Sequence, residues 1–112
     1  MEPLRARPEG QALGERLDAC VVRQAYSRLV IDCNRPLDDP TLAPEASDGT
    51  PIPGNRGLAP EQLQARVTAI HAPYHAAIAD LMGARTAPLL VSAHRFTPRM
   101  YGLHRPWHVG VL

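Results

Sequence analysis

Between Leu63 and Leu81 the apolar residues recur every three or four positions, at Leu63, Val67, Ile70, Tyr74, Ile78 and Leu81. That spacing predicts one apolar stripe along an α-helix. Pro60 suits the first helical position, where a missing N–H costs nothing, and Glu61 lies favourably against the helix dipole. Ala59 is a poor N-cap. Pro73 interrupts the run; it removes a backbone donor and clashes with the preceding turn, so a kink or break is expected near Ala72. Gly83 is the expected C-cap. Cys20-Val21-Val22, Leu29-Val30-Ile31 and Leu89-Leu90-Val91-Ser92-Ala93 are short apolar runs bounded by polar residues, a pattern that predicts buried strands. Residues 107–112 would form a fourth strand. Continuous apolar runs favour a sheet covered on both faces, and the order strand, loop, helix, strand predicts a β-α-β unit with a right-handed crossover. The expected class is α/β, a partial parallel-rich sheet flanked by helices.

The stretch 36–60 holds Pro36, Pro40, Pro44, Pro51, Pro53 and Pro60 with Gly49, Gly54 and Gly57. Neither a helix nor a ladder strand is expected to run through it. Long loops in compact domains are either functional or disordered, and this one carries Asp38, Asp39, Glu45, Asp48, Asn55 and Arg56. The prolines lower the entropy cost of a fixed path and favour the ordered reading. Residues 1–16 form a loose lead-in of prolines, glycines and charges, with a short helix near residues 11–18; residues 17–112 form the single domain.

Twelve basic residues, all arginine, face 11 acidic ones, for a formal charge of +1. That near-balance argues against a nucleic-acid partner, which calls for a clustered basic excess. No apolar run approaches the roughly 20 residues of a membrane span, and the polar N-terminus does not resemble a signal peptide. A cytoplasmic location is the default expectation. Cys20 and Cys33 are too few for a disulfide framework and are expected as free thiols.

In open α/β sheets ligands bind beyond the carboxyl ends of the strands, which directs attention to two clusters. The first is Asp32-Cys33-Asn34-Arg35-Pro36, with Arg28 ahead of it. A guanidinium fork suits a carboxylate, an adjacent amide can donate and accept, and a nearby acid can hold the guanidinium in place. Recognition of an acidic small molecule and a structural salt bridge both fit these residues. The second is Ser92-Ala93-His94, an imidazole at a strand end that is a metal ligand, a general base or a packed structural histidine. His71 and His75 stand i, i+4, but position 72 is Ala rather than the Glu of a zincin helix, and Pro73 disturbs the register. His104 and His108 flank Arg105-Pro106-Trp107, a spacing that makes no site by itself. Cys33 has no evident base and fits a small buried thiol better than a nucleophile.

Taken in order, five stretches carry a resemblance: residues 26–36 (Tyr26 to Pro36), 47–58 (Ser47 to Leu58), Pro73-Tyr74-His75, Ser92-Ala93-His94-Arg95-Phe96-Thr97-Pro98, and Arg105-Pro106-Trp107-His108-Val109-Gly110. Over residues 17–112 the chain resembles the N-formylglutamate amidohydrolase family. The resemblance implies a hydrolase of the formyl C–N bond of N-formyl-L-glutamate, or of a similar small acidic N-acyl amino acid, in histidine degradation. It also implies a parallel-rich sheet like that of zinc-dependent exopeptidases, and zinc as cofactor. His94 matches a metal ligand, Asn34 and Arg35 match the residues that bind substrate carboxylate, and Arg28 matches the arginine that polarises the scissile carbonyl. The metal-activated mechanism would set a zinc-bound water against the formyl carbon. His75 carries a family motif without an assigned role.

The chain resembles a truncated member, the middle of a longer enzyme, with His94 the one matched metal ligand and the general base missing. The alternative is a non-catalytic remnant that binds acidic small molecules or a partner protein through Arg28, Asn34 and Arg35. Sheet edges left bare would then favour self-association.

Overall fold

The computed structural model of the protein describes residues 9–94 and 99–104. The strand expected at 107–112, with Trp107 and His108, lies outside them.

The longest feature is the expected helix, a continuous run of three segments: α2 (Pro60–Arg66), a π-helical turn (Val67–His71) and α3 (Ala72–Gly83). Pro60 occupies the first turn, and the Gln62 side chain accepts a hydrogen bond from the Ala59 N–H at 2.9 Å. The glutamine thereby offsets the poor cap. All six stripe residues are buried or half-buried, with Val67 the most enclosed. Of the kink or break expected near Ala72, the break does not occur. Instead the Ala72 N–H reaches back five residues to the Val67 carbonyl, and this wider turn accommodates a chain that lacks a donor at Pro73. At the far end Ala84, not Gly83, is the cap, and the Arg85 guanidinium donates to the Leu81 carbonyl at 2.9 Å.

The helix α1 (Glu9–Leu17) forms near the expected place. It ends at Asp18, whose φ of 49° turns the chain so that Ala19 donates to the Gly14 carbonyl at 2.8 Å. Val21 then packs so closely on Gly14 that any Cβ there would overlap it.

The three expected strands among the described residues are absent, and each has a physical reason. A strand needs partners for its N–H and C=O groups. At residues 29–31 those groups are taken: Leu29 and Val30 carbonyls accept from the Asn55 and Arg66 side chains, and the Val30 N–H donates to Ser27 in a turn. In residues 20–22, Val21 packs on Gly14 of α1. Residues 89–91 have no ladder partner among the described residues and are 89%, 59% and 59% exposed. The ladders that do form are antiparallel, where a parallel-rich sheet was expected: β1 (Ala46–Ser47) with β2 (Thr50–Pro51), and β3 (Arg99–Met100) with β4 (Leu103–His104). Each hairpin turns through two residues of positive φ, Asp48-Gly49 and Tyr101-Gly102, the geometry that matches strand twist. The first lies inside the proline-rich loop where no ladder strand was expected; Asp-Gly was its signal, and Pro51 sits on a two-stranded edge that has no further ladder to supply. The described fold is therefore mixed α/β. No described helix is long and apolar enough to cross a membrane.

The core is small. Ile31, Leu42 and Val67 are buried together, with Leu63 and Ile70 packed against them. What holds the loop to the helix is polar. Asn55, 3% exposed, donates through Nδ2 to the carbonyls of Leu29 and Pro44, both at 2.8 Å. Its Oδ1 accepts from Arg66 Nη1 at 2.6 Å, and Arg66 also donates to the Val30 carbonyl at 2.7 Å and the Gly54 carbonyl at 3.0 Å.

Replacing Asn55 with Ala strands two carbonyls and one edge of a guanidinium, so Asn55→Ala is expected to lower stability by about 2–4 kcal/mol. A shift of the urea midpoint checks this, and an unchanged midpoint would show that water replaces the network without cost. Gly49 has a φ of 74° and no atom within 4 Å of an added Cβ; Gly49→Ala is therefore expected to cost about 1 kcal/mol, from backbone strain alone.

Candidate functional site

The Asp32–Pro36 segment turns tightly because the Asp32 side chain bonds the backbone two residues on. Its Oδ1 accepts from the Asn34 N–H at 3.0 Å, and its carbonyl accepts from the Arg35 N–H at 3.1 Å. The Asp32 N–H is tied to the Leu42 carbonyl at 2.8 Å. With Ile31 in the core on one side, the Asp32 carboxylate is 11% exposed and its location is determined by backbone on both flanks.

Two guanidiniums converge on that carboxylate. Arg28 Nη1 lies 4.0 Å and Arg35 Nε 3.7 Å from Asp32 Oδ2. Arg35 Nη1 is also 3.8 Å from Asp39 Oδ2, and Arg28 Nη2 donates to Ser47 Oγ at 3.0 Å. Asp39 is held as an anion: the Thr41 hydroxyl and N–H both donate to it, and with the Arg35 charge they lower its pKa. All three ion-pair distances exceed hydrogen-bond length, and the side chains of Arg28 and Arg35 are 54% and 48% exposed. Both forks are therefore oriented by Asp32 while keeping N–H donors free for a further acceptor.

Beside this cluster an open cleft of about 380 Å³ runs between residues 33–37 and two histidines of the long helix, His71 and His75. His71 Nε2 lies 3.0 Å from the Arg35 carbonyl and His75 Nε2 2.8 Å from the Cys33 carbonyl. The ring centroids lie 4.5 Å apart with their planes tilted by 40°, and Tyr74 meets His75 edge-on at 5.4 Å. Since a carbonyl only accepts, both Nε2 atoms donate. The pair is thus committed to backbone and does not clamp a metal through those nitrogens. Cys33 is buried; burial pushes its thiol pKa up, a bond from Gln24 partly offsets this, and the nearby Asp32 charge raises it further. Burial likewise raises the Tyr74 phenol.

Of the residues singled out from sequence, Arg28, Asn34 and Arg35 come together around Asp32, in the ion pair that one of the two sequence readings expects. His94 stands apart. It is exposed in the irregular segment 88–94 and does not line the cleft. Among the described residues no three His, Cys, Asp or Glu side chains gather as a metal-binding group. Sequence gives His71 and His75 an i, i+4 spacing that puts them on one helix face, and His75 a place in the Pro73-Tyr74-His75 motif, without showing what either holds. Asn55 and Arg66, which seat the loop, left no local signal of that role.

Comparison with curated proteins and with solved structures returns no match. The family model of N-formylglutamate amidohydrolase matches residues 10–111, nearly the whole chain and all five stretches of resemblance. On that match the chain belongs to the N-formylglutamate amidohydrolase family.

Proposed function

We propose that the chain acts on N-formyl-L-glutamate or a similar small acidic N-acyl amino acid, adding water across the formyl C–N bond so that formate and the free amino acid leave. Histidine degradation in the cytoplasm belongs to the same proposal. The family match supports an amidohydrolase-type activity. The observation that carries the substrate reading is the pair of half-exposed guanidiniums held by one shielded carboxylate, with one of the two, Arg35, lining a cleft.

In this reading Arg35 takes the substrate carboxylate in a two-point contact and Asn34, exposed next to it, adds an amide donor and acceptor. Binding that remote group orients the amide and reduces the entropy lost on reaching the transition state. Arg28, hydrogen-bonded to Ser47 and steered by Asp32, polarises the formyl carbonyl and stabilises the negative charge that develops on its oxygen. Zinc with His94 as a ligand is the cofactor the resemblance implies. Catalytic zinc takes three protein ligands, and the described residues gather no group of three His, Cys, Asp or Glu side chains around His94. They do not fit that centre, and no step is derived through a metal.

The same geometry favours a second reading, in which the chain binds an acidic small molecule without turning it over, because the carboxylate cluster is assembled among the described residues and a metal donor set is not. Calorimetric titration with N-formyl-L-glutamate beside a formate-release assay separates the two: binding with release supports the hydrolase, binding without release the remnant, and neither would sink both.

Arg35→Ala is expected to weaken N-formyl-L-glutamate binding about 10- to 100-fold, since a charged hydrogen-bonding partner is lost. An unchanged affinity would remove Arg35 from the site. Cys33 is not a nucleophile in this reading. Its raised thiol pKa leaves less thiolate near neutral pH, so iodoacetamide is expected to modify exposed Cys20 faster than Cys33 by about an order of magnitude. The gap should narrow as the pH rises and the Cys33 thiolate forms; equal rates at pH 7 would contradict its burial.

A further inference from the structure

We propose that His71 and His75 are positioning residues for the carboxylate-binding turn: two imidazoles from one helix face bracket Asn34 and Arg35 by donating to the carbonyls on either side of them. The role given to Arg35 rests on the function proposed above. The positioning itself rests on geometry alone.

The turn has few other supports. It belongs to no ladder, and its N–H groups at Asn34 and Arg35 bond back to Asp32. That fixes the start of the turn and leaves the carbonyls of Cys33 and Arg35 facing the helix. The linkage after Arg35 leads into Pro36, which has no N–H, so only the Arg35 carbonyl can anchor the turn at that point. His71 supplies the donor there at 3.0 Å, and His75 supplies one to Cys33 at 2.8 Å.

The helix is shaped for this contact. The π turn ends at His71 and brings Val67 and His71 to the buried side together, one against the Ile31 core and the other against the turn. Pro73 requires a relaxed ladder at this position, and the wide turn meets that need while delivering His71. Tyr74 braces the exposed ring of His75 edge-on. In the Pro73-Tyr74-His75 run, each residue thus has a part in holding the turn. Both imidazoles must carry hydrogen on Nε2 to make these bonds.

The test uses the full chain with alanine and glutamine at positions 71 and 75, glutamine keeping a side-chain N–H donor. Two readouts are taken: affinity for N-formyl-L-glutamate by calorimetry, and amide hydrogen exchange at Asn34 and Arg35. His75→Ala is expected to weaken binding about fivefold to tenfold and to speed exchange at both amides by a similar factor, with His75→Gln recovering most of each. In an Arg35→Ala background the binding loss from His75→Ala should shrink, because Asn34 is then the one substrate-binding residue left for the turn to position. His71→Ala and His71→Gln should behave alike; if the buried His71 does not tolerate alanine, the exposed His75 carries the comparison. Exchange at Asn34 and Arg35 that is unchanged in His75→Ala would overturn the proposal, as would losses that add fully to that of Arg35→Ala. If the wild-type chain does not bind N-formyl-L-glutamate, the functional reading fails, and the exchange comparison still decides the positioning role.

Discussion

The Asn55–Arg66 junction is the constraint on which the remaining geometry depends. Described residues that form two short ladders must find partners elsewhere for the backbone groups they bury, because an unpaired buried carbonyl costs about 1–3 kcal/mol. Here two side chains serve carbonyls from three separate stretches, at Leu29 and Val30, at Pro44 and at Gly54. The amide of Asn55 can do this because it donates twice and accepts once at the same time. Arg66 suits its place because its planar fork reaches two carbonyls and the Asn55 oxygen together. With these contacts made, Ile31 and Leu42 can settle on Val67; no described buried side-chain nitrogen or oxygen is left without a partner.

The same solution recurs one and two turns further along the helix. Arg66, His71 and His75 all donate to carbonyls of the 30–35 segment, so one helix carries a row of donors that lies against one irregular strip of backbone. A sheet would hold such a strip through its own N–H and C=O groups. Here the helix substitutes side-chain donors for a neighbouring strand, which keeps the strip curved and leaves Arg28 and Arg35 outward. Position is therefore imposed on the site from behind, through backbone, and the guanidinium tips need not be spent on holding it.

That division explains how a carboxylate can sit between two arginines without exhausting them. Asp32 is shielded, and its contacts to the two guanidiniums are long. Ion pairs of this kind at a half-exposed surface contribute little to stability, and their effect is to orient. The long distances leave donor capacity for another anion, and membership of the N-formylglutamate amidohydrolase family gives that capacity an acidic amide substrate to be tested against.

Local patterns were legible in the sequence because they are settled by neighbours a few residues apart. Every residue of the apolar stripe from Leu63 to Leu81 is buried or half-buried, Pro60 opens the helix, and the proline-rich stretch is a loop apart from a hairpin marked by Asp48-Gly49. The family and the Arg28, Asn34 and Arg35 cluster could also be read directly, since both lie in ordered motifs. The expected strands at 20–22, 29–31 and 89–93 could not be judged that way: an apolar run states that a segment seeks burial, not which donors will meet its carbonyls. Those donors come from Asn55, 26 residues beyond Leu29, and from Arg66, 36 beyond Val30. The same limit hid the task of His75, whose acceptor at Cys33 lies 42 residues away. Periodicity fixes a helix face because side-chain direction repeats along the backbone. Only the folded chain decides which loop carbonyls that face will meet, because such bonds depend on the path of everything between.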